Sequence, residues 1–211
     1  ASQSSPWSIN AAIPNAGTLP ENAIMAPWQD ILPGPPPNNN ITFGTTGLAT
    51  NRRFMVTWCE VPMFSCTSDL HTSQIVLHEG SNKIEMFLRD KHLCLTWNGG
   101  AAIQGLVDAT STNFDIVTDP LTGLPRNFPL PWTATNEGWE FIPNGTTSYI
   151  INQISYIPII SGSNTWTDVN GVVLGTGPSL PVNVTSTTTF YANITGACAS
   201  GVLNDSVVIT V

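Results

Sequence analysis

The sequence predicts an all-β protein, a β-sandwich module followed by a second, smaller β-sandwich. Short segments alternate between apolar and polar residues, as half-buried strands do. Gly, Asn and Pro separate these segments, and no stretch carries the apolar period of a helix. Only 9% of the 211 residues are charged, against about 25% in ordinary globular domains. Ser, Thr and Asn supply the polar surface instead, a composition that is common in secreted β-proteins.

Alternating faces define the strands in the first part of the chain. We predict strands over residues 53–61, 73–79, 83–89, 101–107 and 138–142. Gly80-Ser-Asn82 predicts a hairpin turn, and Gly105 predicts a bulge. Residues 1–40 are rich in Pro and Asn and predict irregular chain. The apolar strand positions predict a core of Phe54, Val56, Trp58, Ile84, Met86, Leu88 and Trp139.

A domain boundary is predicted at Pro143-Asn-Gly145, which divides the chain into residues 1–144 and 145–211. Beyond it the strands become shorter and more regular, with the spacing of a small sandwich. Asp168-Val-Asn-Gly171 predicts a hairpin turn, because Asn and Gly accept the positive φ that such turns require. The expected core of this second domain is Trp166, Leu174, Val182, Tyr191 and Val208.

The charge balance excludes two classes of partner. The chain carries 14 Asp and Glu against 6 Lys and Arg, a net charge of −8. A phosphate backbone or an anionic membrane would be repelled, and Arg52-Arg53 is the only dibasic step. No segment reaches 18 apolar residues, so we expect neither nucleic-acid binding nor membrane insertion.

The four cysteines predict one disulfide. Cys66 and Cys94 flank a predicted hairpin, and we expect them to be bonded in an oxidising compartment. The alternative is two buried free thiols. Cys59 and Cys198 have no evident partner and are expected to be unpaired. The Cys and His spacing does not match that of a zinc finger.

The sequence contains no recognisable catalytic motif. It has neither a Gly-x-Ser-x-Gly nucleophile turn nor a phosphate-binding loop. Hydrolytic carboxylates would have to come from a cluster of acidic residues that solvated strand edges explain better. We therefore expect no enzyme. The cluster consists of Glu60, Asp69, Glu79, Glu85 and Asp90.

Metal binding has weak support from two groups of residues. His71, His78 and His92 lie in neighbouring strands, but without the spacing of a metal site. Asp115 and Asp119 with nearby carbonyls are a possible Ca²⁺ site, although a plain acidic loop explains them better. We expect no cofactor other than, at most, this Ca²⁺.

Two of the seven tryptophans are candidates for ligand binding. Trp97 precedes Asn98-Gly-Gly100, and Trp132 follows Pro131, so both are predicted to lie in loops. Exposed indoles stack on sugars, which makes Trp97, Asn98 and Trp132 candidate ligand-binding residues. The alternative, that both indoles cover the core, is favoured by the average burial of large aromatic residues.

Several segments resemble a known surface module. Residues 51–58, 61–66, 93–100 and 132–144 resemble a β-rich module of very long cell-surface proteins of Bacteroidota, including gliding-motility-type adhesins exported by the type IX system. Residues 166–171, 174–180, 187–192 and 205–211 resemble the immunoglobulin-like or PKD-like repeats that follow it. Asp205-Ser206-Val207 also resembles the O-glycosylation motif of these bacteria.

The resemblance implies an extracellular, surface-displayed segment that acts in adhesion, as a stalk or in partner binding. Its partners would be other surface-protein segments or glycans. The alternative is a carbohydrate-binding module of a secreted hydrolase, and the domains that flank the chain would discriminate the two.

The first domain is also expected to lack strands at its N-terminus. Members of the resembled family carry strands before the position of Ala1, and residues 1–40 show little strand pattern. An open edge beside residues 53–61 or 101–107 would then accept a partner strand. In the alternative, residues 1–50 cover the edge themselves, with Trp7 and Trp28 as anchors.

Overall fold

The computed structural model describes residues 9–15, 21–34, 41–157, 163–177, 179–195, 198 and 203–211. These residues confirm the all-β prediction, and their only helical turn is a 3-10 turn at Asn98–Gly100. The strands are β1 (Ala23–Trp28), β2 (Ile41–Thr46), β3 (Arg53–Met63), β4 (Cys66–His78), β5 (Ile84–Lys91), β6 (Ile103–Val107), β7 (Phe114–Ile116), β8 (Ala134–Asn144), β9 (Ser148–Ile154), β10 (Ser163–Thr167), β11 (Val173–Thr176), β12 (Thr188–Thr195) and β13 (Leu203–Ile209).

The chain forms two compact units, Ala1–Ile157 and Pro158–Val211. The division therefore lies further along the chain than the predicted boundary at residue 144. The reason is that β8 and β9 pair as a hairpin, from Asn144 opposite Ser148 to Gly138 opposite Ile154. Gly145, which suggested a linker, has φ 75° and makes the turn of this hairpin.

The first unit contains a six-stranded antiparallel sheet in the order β2-β3-β4-β5-β8-β9 and a three-stranded sheet in the order β1-β6-β7. β3 is hydrogen-bonded to β2 and β4, and β6 is hydrogen-bonded to β1 and β7. The expectation of an open edge beside these two strands is therefore wrong. Residues before Arg53 form β1 and β2, which the Pro-rich composition of this segment did not predict. Trp7, one of the two expected anchors, lies outside the described residues.

Both faces of the three-stranded sheet are covered. Leu106 on β6, and Ala102 just before the strand, face the main core, against the six-stranded sheet. Ile103 and Val107 face the other way, into a second cluster that is covered by Ile9 and Ile13. Residues 9–15 thus act as a third layer, although they form no strand. All five residues of β6 are buried, so its sequence does not alternate between apolar and polar residues, and Gln104 is its one polar side chain.

Gly105 is required by close backbone approach rather than by a bulge. It lies opposite Ile116 in regular register, and a Cβ atom there would lie 2.3 Å from the carbonyl oxygen of Asp115. The irregularity of this sheet lies in β1 instead, between Met25 and Trp28. The sequence therefore singled out Gly105 correctly, but it suggested a bulge rather than close backbone approach as the reason for a glycine there.

The predicted core of the first domain is largely confirmed. Ile84, Met86, Leu88 and Trp139 are buried in the main cluster, and Trp58 packs against it. Val56 is half-buried. Phe54 is 38% exposed, so the prediction that it is a core residue is wrong. It lies beside the exposed ring of Phe43 on β2, where no strand of the three-stranded sheet covers the described surface.

The second unit contains a four-stranded antiparallel sheet in the order β11-β10-β12-β13. The turn at Asp168–Gly171 is confirmed, with the Asp168 carboxylate accepting hydrogen bonds from the N–H groups of Asn170 and Val172. The predicted core is largely wrong, because Phe190 rather than Tyr191 is the buried aromatic residue of β12. Apolar residues occur in both phases of this strand, so alternation did not decide its face. Trp166 is half-buried, and the other predicted residues are exposed, namely Leu174, Val182 and Val208.

A buried arginine joins the loop after β7 to both sheets. Arg126 is 1% exposed, and its guanidinium donates a bidentate pair of hydrogen bonds, 2.7 and 2.9 Å long, to Glu137 on β8. Its Nε donates to Asp119 at 3.0 Å and its Nη1 donates to Gln104 on β6 at 2.8 Å. The guanidinium carbon lies 4.3 Å from the ring centroid of Trp132. A buried cation is stable only with such partners.

A second buried cation lies beside the same indole. Lys91 is 2% exposed, donates to the carbonyl oxygen of Trp132 at 2.6 Å, and lies 4.8 Å from the centroid of that ring. No carboxylate pairs with it among the hydrogen bonds and ion pairs of the described residues. Burial, together with the positive charge of Arg126, lowers the pKa of Lys91 to about 7.

The first prediction concerns Lys91 in alkaline solution. Between pH 7 and about 10 only the unfolded chain keeps this proton, so the free energy of unfolding rises with pH by up to about 1.4 kcal/mol per unit. A Lys91→Met variant should lack this increment when urea unfolding is measured across the range. Equal slopes for the two proteins would contradict the lowered pKa.

The second prediction concerns His71, which is 2% exposed and bonded through Nε2 to the Ser73 hydroxyl at 2.8 Å. Burial lowers its pKa to about 3. Between pH 6.5 and about 3 the unfolded chain therefore binds a proton that the folded protein does not, and stability falls with falling pH. Urea unfolding of His71→Asn should show a smaller loss. Identical profiles for the two proteins would overturn the assignment.

Candidate functional site

The first unit contains a groove of about 460 Å³ where β1 begins and β6 ends. This volume lies in the range of small-molecule sites, which is about 300–1,000 Å³. Residues of β7 and of the β8–β9 turn complete it. Its lining consists of Asn22, Ala23, Ile24, Ile84, Leu106, Val107, Asp108, Asn113, Phe114, Asp115, Thr146, Thr147 and Tyr149.

One wall of the groove is held in shape by Asp108. Its carboxylate accepts hydrogen bonds from the Asn113 side chain at 2.7 Å, from the Thr112 N–H at 3.0 Å and from the Thr110 hydroxyl at 2.9 Å. The Asn113 bond contributes most to lowering the pKa of Asp108 to about 2. The Asp108 carbonyl also accepts the N–H of Asn22, which fixes the start of β1. Asp108 thus shapes the loop and has little capacity left for a ligand.

Asp115 and Phe114 on β7 also line the groove. Asp115 Oδ2 accepts the N–H of Tyr149 at 3.1 Å, which is the one hydrogen bond to this carboxylate among the described contacts. Oδ1 is therefore available as an acceptor. Phe114 is 44% exposed, and no Lys or Arg is among the lining residues. A carboxylate, amides, hydroxyls and an exposed ring together suit a ligand that is rich in hydroxyl groups.

The tryptophans chosen from the sequence lie elsewhere. Trp132 is 7% exposed, contacts Lys91 and Arg126, and donates its indole N–H to the Ala102 carbonyl at 2.8 Å. It is a core residue, so the favoured alternative, that this indole covers the core, is confirmed, and nothing in its surroundings supports ligand binding. A large aromatic ring next to two buried cations is stabilised by packing and cation–π contact, which its loop position did not reveal.

Trp97 and Asn98 lie at the start of the 3-10 turn, and neither lines the groove. The Trp97 ring is half-buried and packs edge-on against Phe64 with the centroids 4.7 Å apart. The cavity next to it holds about 10 Å³, too little for a sugar. Ligand binding at these two residues stays a prediction without a cavity to support it.

The disulfide prediction is confirmed for one pair and incomplete for the rest. Cys66 at the start of β4 is bonded to Cys94 in the loop after β5. Cys59 and Cys198, which were expected to be unpaired, are disulfide-bonded as well, and both are buried. Their separation in sequence gave no hint of this. Such bonding is typical of proteins in oxidising compartments.

Three of the candidate metal ligands, His71, His78 and Asp119, are bonded to other side chains or to the main chain. Burial acts to raise the pKa of Asp119, but hydrogen bonds from the Thr122 N–H and Arg126 outweigh it and lower that pKa, so its carboxylate is saturated without Ca²⁺. His78 is paired with Glu85 at 2.7 Å, whereas His71 is bonded to Ser73. No group of three His, Cys, Asp or Glu side chains within the described ranges is arranged to hold a metal ion.

Ser206 lies in β13 and is exposed, so it is accessible to a modifying enzyme. Nothing in its surroundings tests the glycosylation motif.

No helix in the described part of the chain is long and apolar enough to cross a membrane.

The groove residues themselves were missed by sequence reasoning. Asn22 and Tyr149 are 127 positions apart, and their meeting depends on β1, which was not predicted, and on β9, which was predicted as a strand of the second domain and not as the partner of β8. One signal was available. Asp108 is followed by Thr110, Thr112 and Asn113, a pattern typical of a carboxylate-capped loop, and such loops often carry function.

Comparisons with known proteins give one match. The profile of a family described as NIDO related matches residues 1–128, which is more than half of the chain. No curated protein and no solved structure matches. Together with the disulfides, this match indicates an extracellular module of the adhesion type. The chain therefore belongs to the NIDO-related family.

Proposed function

We propose that this chain is a non-catalytic segment of a large cell-surface adhesin and that the groove binds the glycans to which the protein adheres. The observation that carries the proposal is the groove itself. It combines an available carboxylate oxygen on Asp115, an exposed Phe114 ring and several amide and hydroxyl groups without any lining cation. Carboxylates and amides pair with sugar hydroxyl groups, and aromatic rings pack against the apolar faces of sugars.

The same geometry argues against catalysis. Hydrolysis of a glycosidic bond uses two carboxyl groups that are both free to exchange protons or to attack. Asp108 and Asp115 are the only carboxylates among the residues that line the groove, and the Asp108 carboxylate is saturated by its own loop. Several other ionisable groups with shifted pKa values lie in closed pairs, such as Arg52 with Glu79, or in the core, as does Lys91.

The resemblance of residues 1–145 to Bacteroidota surface modules extends the proposal to a type IX-exported, gliding-motility-type protein in which other surface segments are further partners. A second candidate is a carbohydrate-binding module of a secreted hydrolase, which the groove supports equally well. The two candidates differ in the domains that are expected next to this chain. An adjoining catalytic domain favours the hydrolase, and further sandwich repeats favour the adhesin.

The third prediction tests the groove. The chain should bind at least one glycan on an array, and calorimetry with that glycan should show about tenfold weaker binding by Asp115→Asn, since a hydrogen bond to a charged group contributes about 1.5–3 kcal/mol. Phe114→Ala should weaken binding by a similar factor. Phe43→Ala removes another exposed ring, 79% exposed on β2, and should bind normally. Binding that is unchanged in both groove variants would refute the assignment.

The fourth prediction concerns adhesion. Beads that carry the chain should be retained on a surface coated with the glycan identified on the array, and free glycan should release them. Beads that carry Asp115→Asn should be retained less, because multivalent attachment amplifies the loss of affinity at each site. The glycan should be recovered uncleaved. Appearance of hydrolysis products would contradict the non-catalytic assignment.

A further inference from the structure

A second cavity lies between the two sheets of the first unit, along β1. It holds about 230 Å³ and is bordered by β1, by Trp58 of β3 and by His71 and Ser73 of β4. Trp28 and Trp58 are half-buried at its border, so it is not sealed by fully buried side chains. The groove described above shares Ala23 and Ile24 with it, but none of its polar groups.

Gln29 is the unusual residue of this cavity. It is only 8% exposed, yet neither Oε1 nor Nε2 of its side chain has a hydrogen-bond partner among the described residues. Burying an unpaired amide destabilises a protein, and buried polar groups are almost always paired. A leucine in place of Gln29 would fill a similar space without the free-energy cost of burying an unpaired amide. The amide is therefore poised to pair with something that enters the cavity.

The cavity selects for an uncharged ligand. No Asp, Glu, Lys or Arg is among its lining residues, and His71, bonded to the Ser73 hydroxyl, stays neutral at physiological pH. A charged group would lose its hydration without gaining an ion partner. A carboxamide fits, because its C=O and N–H complement the Nε2 and Oε1 of Gln29. The indoles of Trp28 and Trp58 supply aromatic surface of the kind that packs against sugar rings.

We propose that this cavity is a separate binding site for the acetamido group of an N-acetylated sugar, with Gln29 pairing to the amide and Trp28 and Trp58 contacting the sugar ring. The proposal does not depend on the groove, since the two sites have different polar groups. It explains why an amide is kept at a buried position where it weakens the fold.

The test is an NMR titration of the full ¹⁵N-labelled chain, observed at the Gln29 side-chain amide and the tryptophan indole N–H signals. N-acetylglucosamine and acetamide should produce saturable shifts of these signals at millimolar concentration. Glucose, which lacks the acetamido group, and acetate, which is charged, should not. Asp115→Asn should leave this response unchanged, so failure of the groove and failure of this site are distinguishable.

Gln29→Leu should weaken the response at the indoles at least tenfold while the melting temperature without ligand stays equal or rises. Gln153→Leu changes an exposed glutamine of β9 and should behave as wild type. Absence of saturable shifts with both amides, or equal shifts with glucose and acetate, would overturn the proposal. So would a lower melting temperature of Gln29→Leu, since the amide would then be stabilising the unliganded protein.

Discussion

The pairing of Arg126 with Glu137 and Asp119 is the interaction on which the first unit depends. Arg126 lies in a loop of four prolines that forms no strand, and yet this loop runs between the sheets. Main-chain bonds help, from Arg126 N–H to the Val117 carbonyl and from Gln104 N–H to the Arg126 carbonyl. The guanidinium adds the longer connection, from the loop to β8 through Glu137 and to β6 through Gln104. Removing it would leave the carboxylates of Glu137 and Asp119 largely buried without a cation to pair with.

This arrangement also constrains function. The chain has only 20 charged side chains besides three histidines, and several of them are committed to the core or to closed pairs at strand edges. What remains at the cavities is a carboxylate with one open oxygen in the groove and a neutral amide in the inter-sheet cavity. Such groups suit recognition of hydroxyl and amide groups far better than acid–base chemistry. The scarcity of charge that predicted a secreted β-protein is thus the same property that points to binding.

Sequence reasoning succeeded where local rules decide and failed where distant segments meet. Alternation placed Met86 and Leu88 in the core, and turn chemistry located the hairpins at Gly80 and Gly171, because both are properties of neighbouring residues. It failed for β1 and β2, which are stabilised by pairing with β6 and β3 and not by their own composition. The local sequence could not decide whether Trp132 is buried, for the same reason. Its burial depends on Lys91 and Arg126, whose positions only the tertiary fold determines. The sequence suggested Asp115 as an oxygen ligand of Ca²⁺. In the groove it is instead a candidate hydrogen-bond acceptor for a glycan.

A double-mutant cycle on Arg126 and Glu137 tests the central role of this pair most directly. Unfolding free energies would be measured by urea denaturation for Arg126→Met, Glu137→Gln and the combined variant. Arg126→Met alone should cost about 3–5 kcal/mol, as removal of one partner from a buried pair does. The combined variant should be more stable than the sum of the two losses implies, with a coupling of about 2 kcal/mol, within the range for contacting residues. The same cycle on Arg52 and Glu79, an exposed pair, should give a much smaller coupling. A coupling at Arg126 no larger than that of the exposed pair would contradict the account.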